Sequence, residues 1–165
     1  MRKPSAILGS AVFFIAAPGV VAGLAPWLLT GRYGQPLASW PLVIAGSALI
    51  AISLGVLLHA FAGFALEGLG TPAPIAPTDR LVIGGIYRHM RNPMYVAVLS
   101  IIVGQALIFA SSQLAAYAAI MGAVMATFVR VYEEPVLVRQ YGAEYETYRA
   151  NVPGWLPRLT PWRGT

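Results

Sequence analysis

From Asn92 to Val129 the chain carries no charged side chain across 38 residues, and a charged cluster stands at each end: YRHMRNPMY at Tyr87–Tyr95 and EEP at Glu133–Pro135. One bilayer crossing takes about 20 residues, so this stretch is too long for one span and suits two joined by a tight turn. Ser111-Ser112-Gln113 is the polar break near its middle. A helical hairpin folded there returns the chain to the membrane face it left. The two charged clusters are therefore expected to meet at one surface.

Two more charge-free runs lie between Lys3 and Arg32 and between Arg32 and Glu67. With 58% hydrophobic and 10% charged residues, the composition is that of a chain solvated mostly by lipid. The expected fold is all-α: a polytopic integral membrane protein with four transmembrane helices in a single domain over residues 1–165. The spans fall at about 5–29, 41–66, 93–111 and 113–131, with a loop at 67–92 and a helical C-terminal segment at 132–165. On this scheme Arg2, Lys3, Arg80, Arg88, Arg91, Arg130, Arg139, Arg149, Arg158 and Arg163 share one side, with all six acids, and only Arg32 lies opposite. The excess of basic residues places both termini, the 67–92 loop and the C-terminal segment in the cytoplasm, as in a bacterial inner membrane protein.

Function classes narrow accordingly. A net charge of +5 by itself is compatible with nucleic acid, but the basic residues are dispersed at span ends and mixed with acids, so no nucleic-acid partner is expected and membrane lipids are the natural surface. There is no cysteine, which excludes disulfides, thiolate metal sites and cysteine nucleophiles. No P-loop, GxGxxG or HExxH occurs, and no metal site is expected. The run from Ser5 to Leu29 exceeds the apolar core of a cleavable signal, about 7–15 residues, so it is expected to stay as a span.

Along the chain, Pro18-Gly19 and Pro26 predict a kink in span one, whose residues otherwise read as structural. Span two carries His59, an ionisable group at membrane depth and so a functional candidate, though a neutral imidazole packed near the cytoplasmic end is the reading preferred. Its small residues Gly46, Ser47, Ala48, Ala51, Ser53 and Gly55 offer places for another helix to approach closely. In the long loop, Pro72, Pro74 and Pro77 hold an extended start, and the part containing Leu81, Val82, Ile83 and Ile86 is too apolar for a simple linker. Asn92 is the natural N-cap, and Pro93 the first turn, of span three. Leu137, Tyr141, Tyr145, Tyr148 and Val152 recur at helical spacing, Gly142 is placed to split that helix, and Trp155 and Trp162 with Arg158 and Arg163 suit an interfacial tail.

The candidate chemistry is the convergence of Tyr87, Arg88, His89, Arg91, Asn92 and Tyr95 with Arg130, Glu133 and Glu134. The set holds donors for a carboxylate or phosphate and acceptors for an ammonium or ribose hydroxyl. Arg130, Glu133 and Glu134 are spaced to share one helix edge, and either cluster alone also reads as a salt bridge capping a span. Both clusters beside a Gly- and Pro-rich loop suggest a site for a small polar ligand next to an apolar one.

At these residues the chain resembles the isoprenylcysteine carboxyl methyltransferase and phospholipid methyltransferase superfamily. The resemblance is carried by GTPAP at Gly70–Pro74, GGIYRHMRNPMY, EEPVL and YGAEYETYRANVPGWLP, in that order, and runs from about Gly70 to Pro157. It implies a membrane enzyme that uses S-adenosylmethionine to methylate the polar head of an amphiphilic, lipid-like substrate. The family's R-H-P-x-Y-x-G stretch falls on Arg91, Asn92, Pro93, Tyr95 and Ala97, so Asn replaces its His and Ala its Gly. Its paired acids fall on Glu133 and Glu134, and its final pattern on Tyr141, Gly142, Tyr145, Tyr148, Val152 and Pro153. The resemblance and the charge placement together make Tyr87, His89, Arg91, Asn92, Pro93, Tyr95, Glu133, Glu134, Tyr145 and Tyr148 the expected cofactor residues. Arg130 and Glu134 are the expected catalytic pair. Two alternatives share the same architecture: an NADPH-dependent enzyme related to membrane sterol reductases, and a non-catalytic lipid- or partner-binding protein.

Overall fold

The computed structural model describes residues 12, 15–34, 36–66 and 80–164. The basic pair Arg2-Lys3, the start of span one and the proline-rich part of the loop lie outside the described residues. Among the described residues the chain is helical with no strand. The first segment is helical and passes through a π turn at Val20–Leu24 into α1 (Ala25–Leu29). It is followed by α2 (Trp40–Leu66), α3 (Pro93–Ile108), α4 (Ser112–Phe128), a second π turn at Val129–Glu133, α5 (Glu134–Tyr141) and α6 (Ala143–Asn151).

Trp40–Gly63 and Ser112–Tyr141 are long and apolar enough to cross a membrane, and their most apolar windows are only 17% and 22% buried. The core helix of a soluble protein would be mostly buried, so these exposed apolar faces mark a membrane protein. Val20–Leu29 and Pro93–Ile108 are shorter apolar helices beside them.

The hairpin turns where the polar break lies: α3 ends at Ile108, Ala110 takes a positive φ of 47°, and the Ser111 hydroxyl accepts from the Leu114 N–H as the N-cap of α4. α3 packs chiefly on α2 and next on α4. The α2–α3 approach is backbone against backbone. A Cβ on Gly46 would fall 2.5 Å from the Gly104 carbonyl oxygen, and one on Gly104 would fall 2.7 Å from Ile50 Cγ1. Ser53 is buried, whereas Gly55 meets nothing, so only part of the small-residue stripe is used.

Both π turns precede a proline, at Ala25-Pro26 and Glu134-Pro135. Proline has no N–H, and its ring collides with the carbonyl four residues back. The helix widens in response. The Ala25 N–H bonds the Val20 carbonyl and the Glu134 N–H bonds the Val129 carbonyl, five residues away in each case. Carbonyls left over in the first turn find side chains from the hairpin: Gln105 Nε2 donates to Ala22 O at 2.7 Å and the Tyr117 hydroxyl to Val21 O at 2.9 Å. The Tyr33 hydroxyl donates to Gln105 Oε1, so the buried amide is held at both ends.

Beyond α4, Gly142 adopts φ 54°, ψ −129° and splits the helix as its position suggested. α6 then closes a small core in which Tyr145, Tyr148 and Val152 are buried, with Leu81 and Ile83 of the loop packed against them.

Candidate active site

The hairpin delivers its two charged ends to one place. The Arg91 Nη1 donates to Glu134 Oε1 at 2.7 Å and to the Tyr145 hydroxyl at 3.1 Å, while its Nε donates to the Val152 carbonyl at 3.0 Å. The Tyr95 hydroxyl, one helical turn on, donates to Glu133 Oε2 at 2.8 Å. Arg149 stands 3.4 Å from the other oxygen of Glu134. Neighbouring acids thus have separate partners, and both stay fixed by charge-assisted hydrogen bonds.

These groups form one end of a cavity of about 490 Å³. Its polar end carries Arg91, Asn92, Glu133, Glu134 and Gln140, ringed by Tyr87, Tyr141, Tyr145 and Tyr148. From there the wall turns apolar and runs between the helices. Phe61 of α2, Met94 and Val98 of α3, and Met125, Phe128 and Val129 at the end of α4 line it. Ala17, Pro18 and Val21 of the first segment complete it. A polar mouth continuous with an apolar arm fits a polar ligand beside an apolar one.

Of the residues singled out from sequence, Tyr87, Arg91, Asn92, Pro93, Tyr95, Glu133, Glu134, Tyr145 and Tyr148 line this cavity. Asn92 holds the N-cap position of α3 with φ −117° and ψ 49°, but its side chain caps no helix N–H; it is buried and faces the cavity. Burial pushes the phenols of Tyr145 and Tyr148 above the usual range, against the opposing pull of the Arg91 guanidinium, so both are neutral: Tyr145 accepts from Arg91, and Tyr148 donates to the Tyr87 carbonyl at 2.7 Å.

Three candidates lie elsewhere, and the first, Arg88, is exposed and outside the cavity lining. His89 is outside the cavity lining, and its Nδ1 sits 2.9 Å from the Arg158 carbonyl. Arg130 is exposed and also outside the lining, and the ion pairs of Glu134 run to Arg91 and Arg149. The shared edge expected for Arg130, Glu133 and Glu134 assumes an ordinary helix. The π turn replaces that geometry, turning the acids to the cavity and Arg130 away from it.

Three elements outside the charged clusters also bear on the site. Span one read as purely structural, yet three of its residues form cavity wall. The tail with Trp155 and Trp162 read as a membrane-interface segment. Its tryptophans also pack on the fold, Trp155 near Tyr95 and Trp162 near Tyr148, at ring separations of 6.3 and 5.8 Å. His59 lies against Gly85, where a Cβ would come within 2.7 Å of its Nε2, and it takes no part in the cavity lining.

No curated protein and no solved structure matches the chain. The family model described as phospholipid methyltransferase matches residues 41–144. That range spans most of α2, the whole hairpin, Arg91, Asn92 and both acids, well over half of the 165 residues, and the chain therefore belongs to the phospholipid methyltransferase family.

Proposed function

We propose that the protein transfers a methyl group from S-adenosylmethionine to the polar head of a membrane-embedded amphiphile, the carboxylate of an isoprenylcysteine or the amine of a lipid. The observation that carries this reading is the division of the cavity between an ionic end and an apolar arm among the helices. A polar cofactor and an acceptor whose tail stays in hydrocarbon require such a two-sided site. Family membership supports methyl transfer and a lipid acceptor.

The residues at the polar end suit this cofactor. Glu133 and Glu134 accept from an ammonium or from ribose hydroxyls, Arg91 and Asn92 donate to a carboxylate, and Pro93 with Tyr87, Tyr95, Tyr145 and Tyr148 supplies rigid walls. When bound, the cofactor supplies a methyl group carried on a sulfonium. The chain contributes position, fixed charge and exclusion of water. Glu134, braced by Arg91, would hold the cofactor at the polar end, and Arg130, which lies outside the cavity, would meet the acceptor's anionic head only on its approach. Asn92 has no titrating proton, so no base acts at that position, and a carboxylate acceptor needs none. The proposal includes four spans in one domain of a bacterial inner membrane protein with both termini cytoplasmic. The distribution of basic residues supports this, and it turns the polar mouth toward the compartment where the cofactor is made.

Calorimetric titration of the full-length protein in detergent or nanodiscs with S-adenosylhomocysteine and with NADPH tests the reading. Saturable binding of the first and none of the second is expected. Binding of NADPH alone would point to a reductase, and binding of neither by folded protein would leave a lipid-binding role.

A further inference from the structure

Residues 152–162 run as a strap along residues 88–92. The Arg91 N–H donates to the Pro153 carbonyl at 2.9 Å and the Asn92 N–H to the Gly154 carbonyl at 3.0 Å. Further along, the Arg158 N–H donates to the His89 carbonyl and the Trp162 N–H to the Arg88 carbonyl, each at 3.0 Å. His89 returns the contact through Nδ1, 2.9 Å from the Arg158 carbonyl. A carbonyl only accepts, so Nδ1 carries the proton and the pair is reciprocal. The strap also lies flat on the side chains it faces. A Cβ on Gly154 would come within 3.2 Å of Arg91 Nη2 and 3.4 Å of Asn92 Nδ2.

Why Arg91 and Asn92 need this support follows from Pro93. The ring of a proline disfavours helical backbone in the residue before it, and Asn92 is accordingly outside the helix at φ −117°, ψ 49°. The amides of both residues must therefore find acceptors outside α3, and a buried amide without one is costly. The strap supplies them. It lies beyond the residues of the family match, which end at 144.

We propose that the strap, clasped by the reciprocal His89–Arg158 pair, is a positioning element that fixes Arg91 and Asn92 at the polar end of the cavity, with His89 acting through the strap and not on the cofactor. The functional part of this proposal rests on the cofactor reading of the cavity; the structural part does not.

The test compares His89→Ala, His89→Asn and Gly154→Ala in the full-length protein. Asn places an amide N–H close to where Nδ1–H stands, so it is expected to behave as wild type. His89→Ala is expected to weaken S-adenosylhomocysteine binding and raise the KM for S-adenosylmethionine about tenfold, the size of one lost positioning hydrogen bond, with kcat at saturating cofactor nearly unchanged. Gly154→Ala should give the same loss with His89 intact. Amide hydrogen exchange supplies a readout free of any ligand: Arg91 and Asn92 should be protected in wild type and His89→Asn, and exchange faster in His89→Ala, while α4 keeps its protection. Unchanged protection at Arg91 and Asn92 in His89→Ala would overturn the proposal. So would an equal loss throughout α4, which would make His89 a support of the whole fold. If wild type binds no S-adenosylhomocysteine, the cofactor reading fails, and the exchange pattern alone decides the strap.

Discussion

Glu133 and Glu134 are neighbours in sequence with different attachments, and substitution should separate them. Glu134→Gln leaves Arg91 facing a neutral amide and should weaken S-adenosylhomocysteine binding by about tenfold or more, about 1.4 kcal/mol. Glu133→Gln keeps an oxygen for the Tyr95 hydroxyl and removes only the charge, so a smaller loss is expected. Calorimetry on both variants decides the matter, since unchanged affinity in both would make these acids structural caps. Arg130 makes a separate prediction. Arg130→Lys keeps the positive charge but loses the planar fork, so a role in orienting the acceptor should lower kcat strongly while cofactor affinity stays as it was. Normal turnover with an amphiphilic acceptor would reject that role. Asn92 illustrates how far a residue can be read from sequence. Its place before Pro93 and at the site was legible, but the expected side-chain cap did not form, because capping depends on where the amide points, and here the residue lines the cavity and bonds no helix N–H.

At the level of elements, backbone contact and proline-driven widening do most to shape the site. Gly46→Val places a branched side chain where the Gly104 carbonyl already stands, 2.5 Å from the new Cβ. Overpacking of this kind costs about 1–3 kcal/mol, and a lower thermal midpoint in detergent is expected. Gly55→Ala, with open space around it, should be neutral. The small core under α6 makes a pH prediction. Tyr145 and Tyr148 are held neutral, with pKa values raised above the ordinary 10.0, so the fold binds these protons more tightly than the unfolded chain does. Their contribution is complete below about pH 10 and is lost as pH rises above it. Melting curves followed by tryptophan fluorescence, with Trp162 against Tyr148, should be flat to about pH 10 and then fall, less steeply in Tyr148→Phe. Melting that ignores pH to the same limit in both proteins would show that these phenols are not held neutral by the fold. The split at Gly142 was legible from one residue. The turn at Val129–Glu133 was not, because helical spacing assumes a fixed pitch and Pro135 changes it.

For the molecule as a whole, the meeting of the two charged clusters was legible from a single length, that of the charge-free run, because lipid thickness and one polar break leave few other ways to place it. The proposed orientation predicts that a cysteine at Ser112 is labelled only from the non-cytoplasmic side. Labelling from the cytoplasm would remove the topology. What stayed hidden shares a physical cause. Ala17, Pro18 and Val21 carry no reactive group, and the strap has no periodicity, so neither gives a signal until the chain is folded. The close seam at Gly46 and Gly104 also bears on mechanics. With two backbones in contact, α2 and α3 cannot slide or part without first losing that contact, and they form the stiff side of the cavity. The opposite wall, Ala17 to Val21, is tied to the hairpin by a few side-chain bonds to carbonyls loosened by Pro26. Compliance is therefore concentrated in the first segment. On the proposed function, a bulky or branched acceptor tail would be accommodated by bending that wall outward, while the ionic end, anchored to the stiff side, would keep its shape.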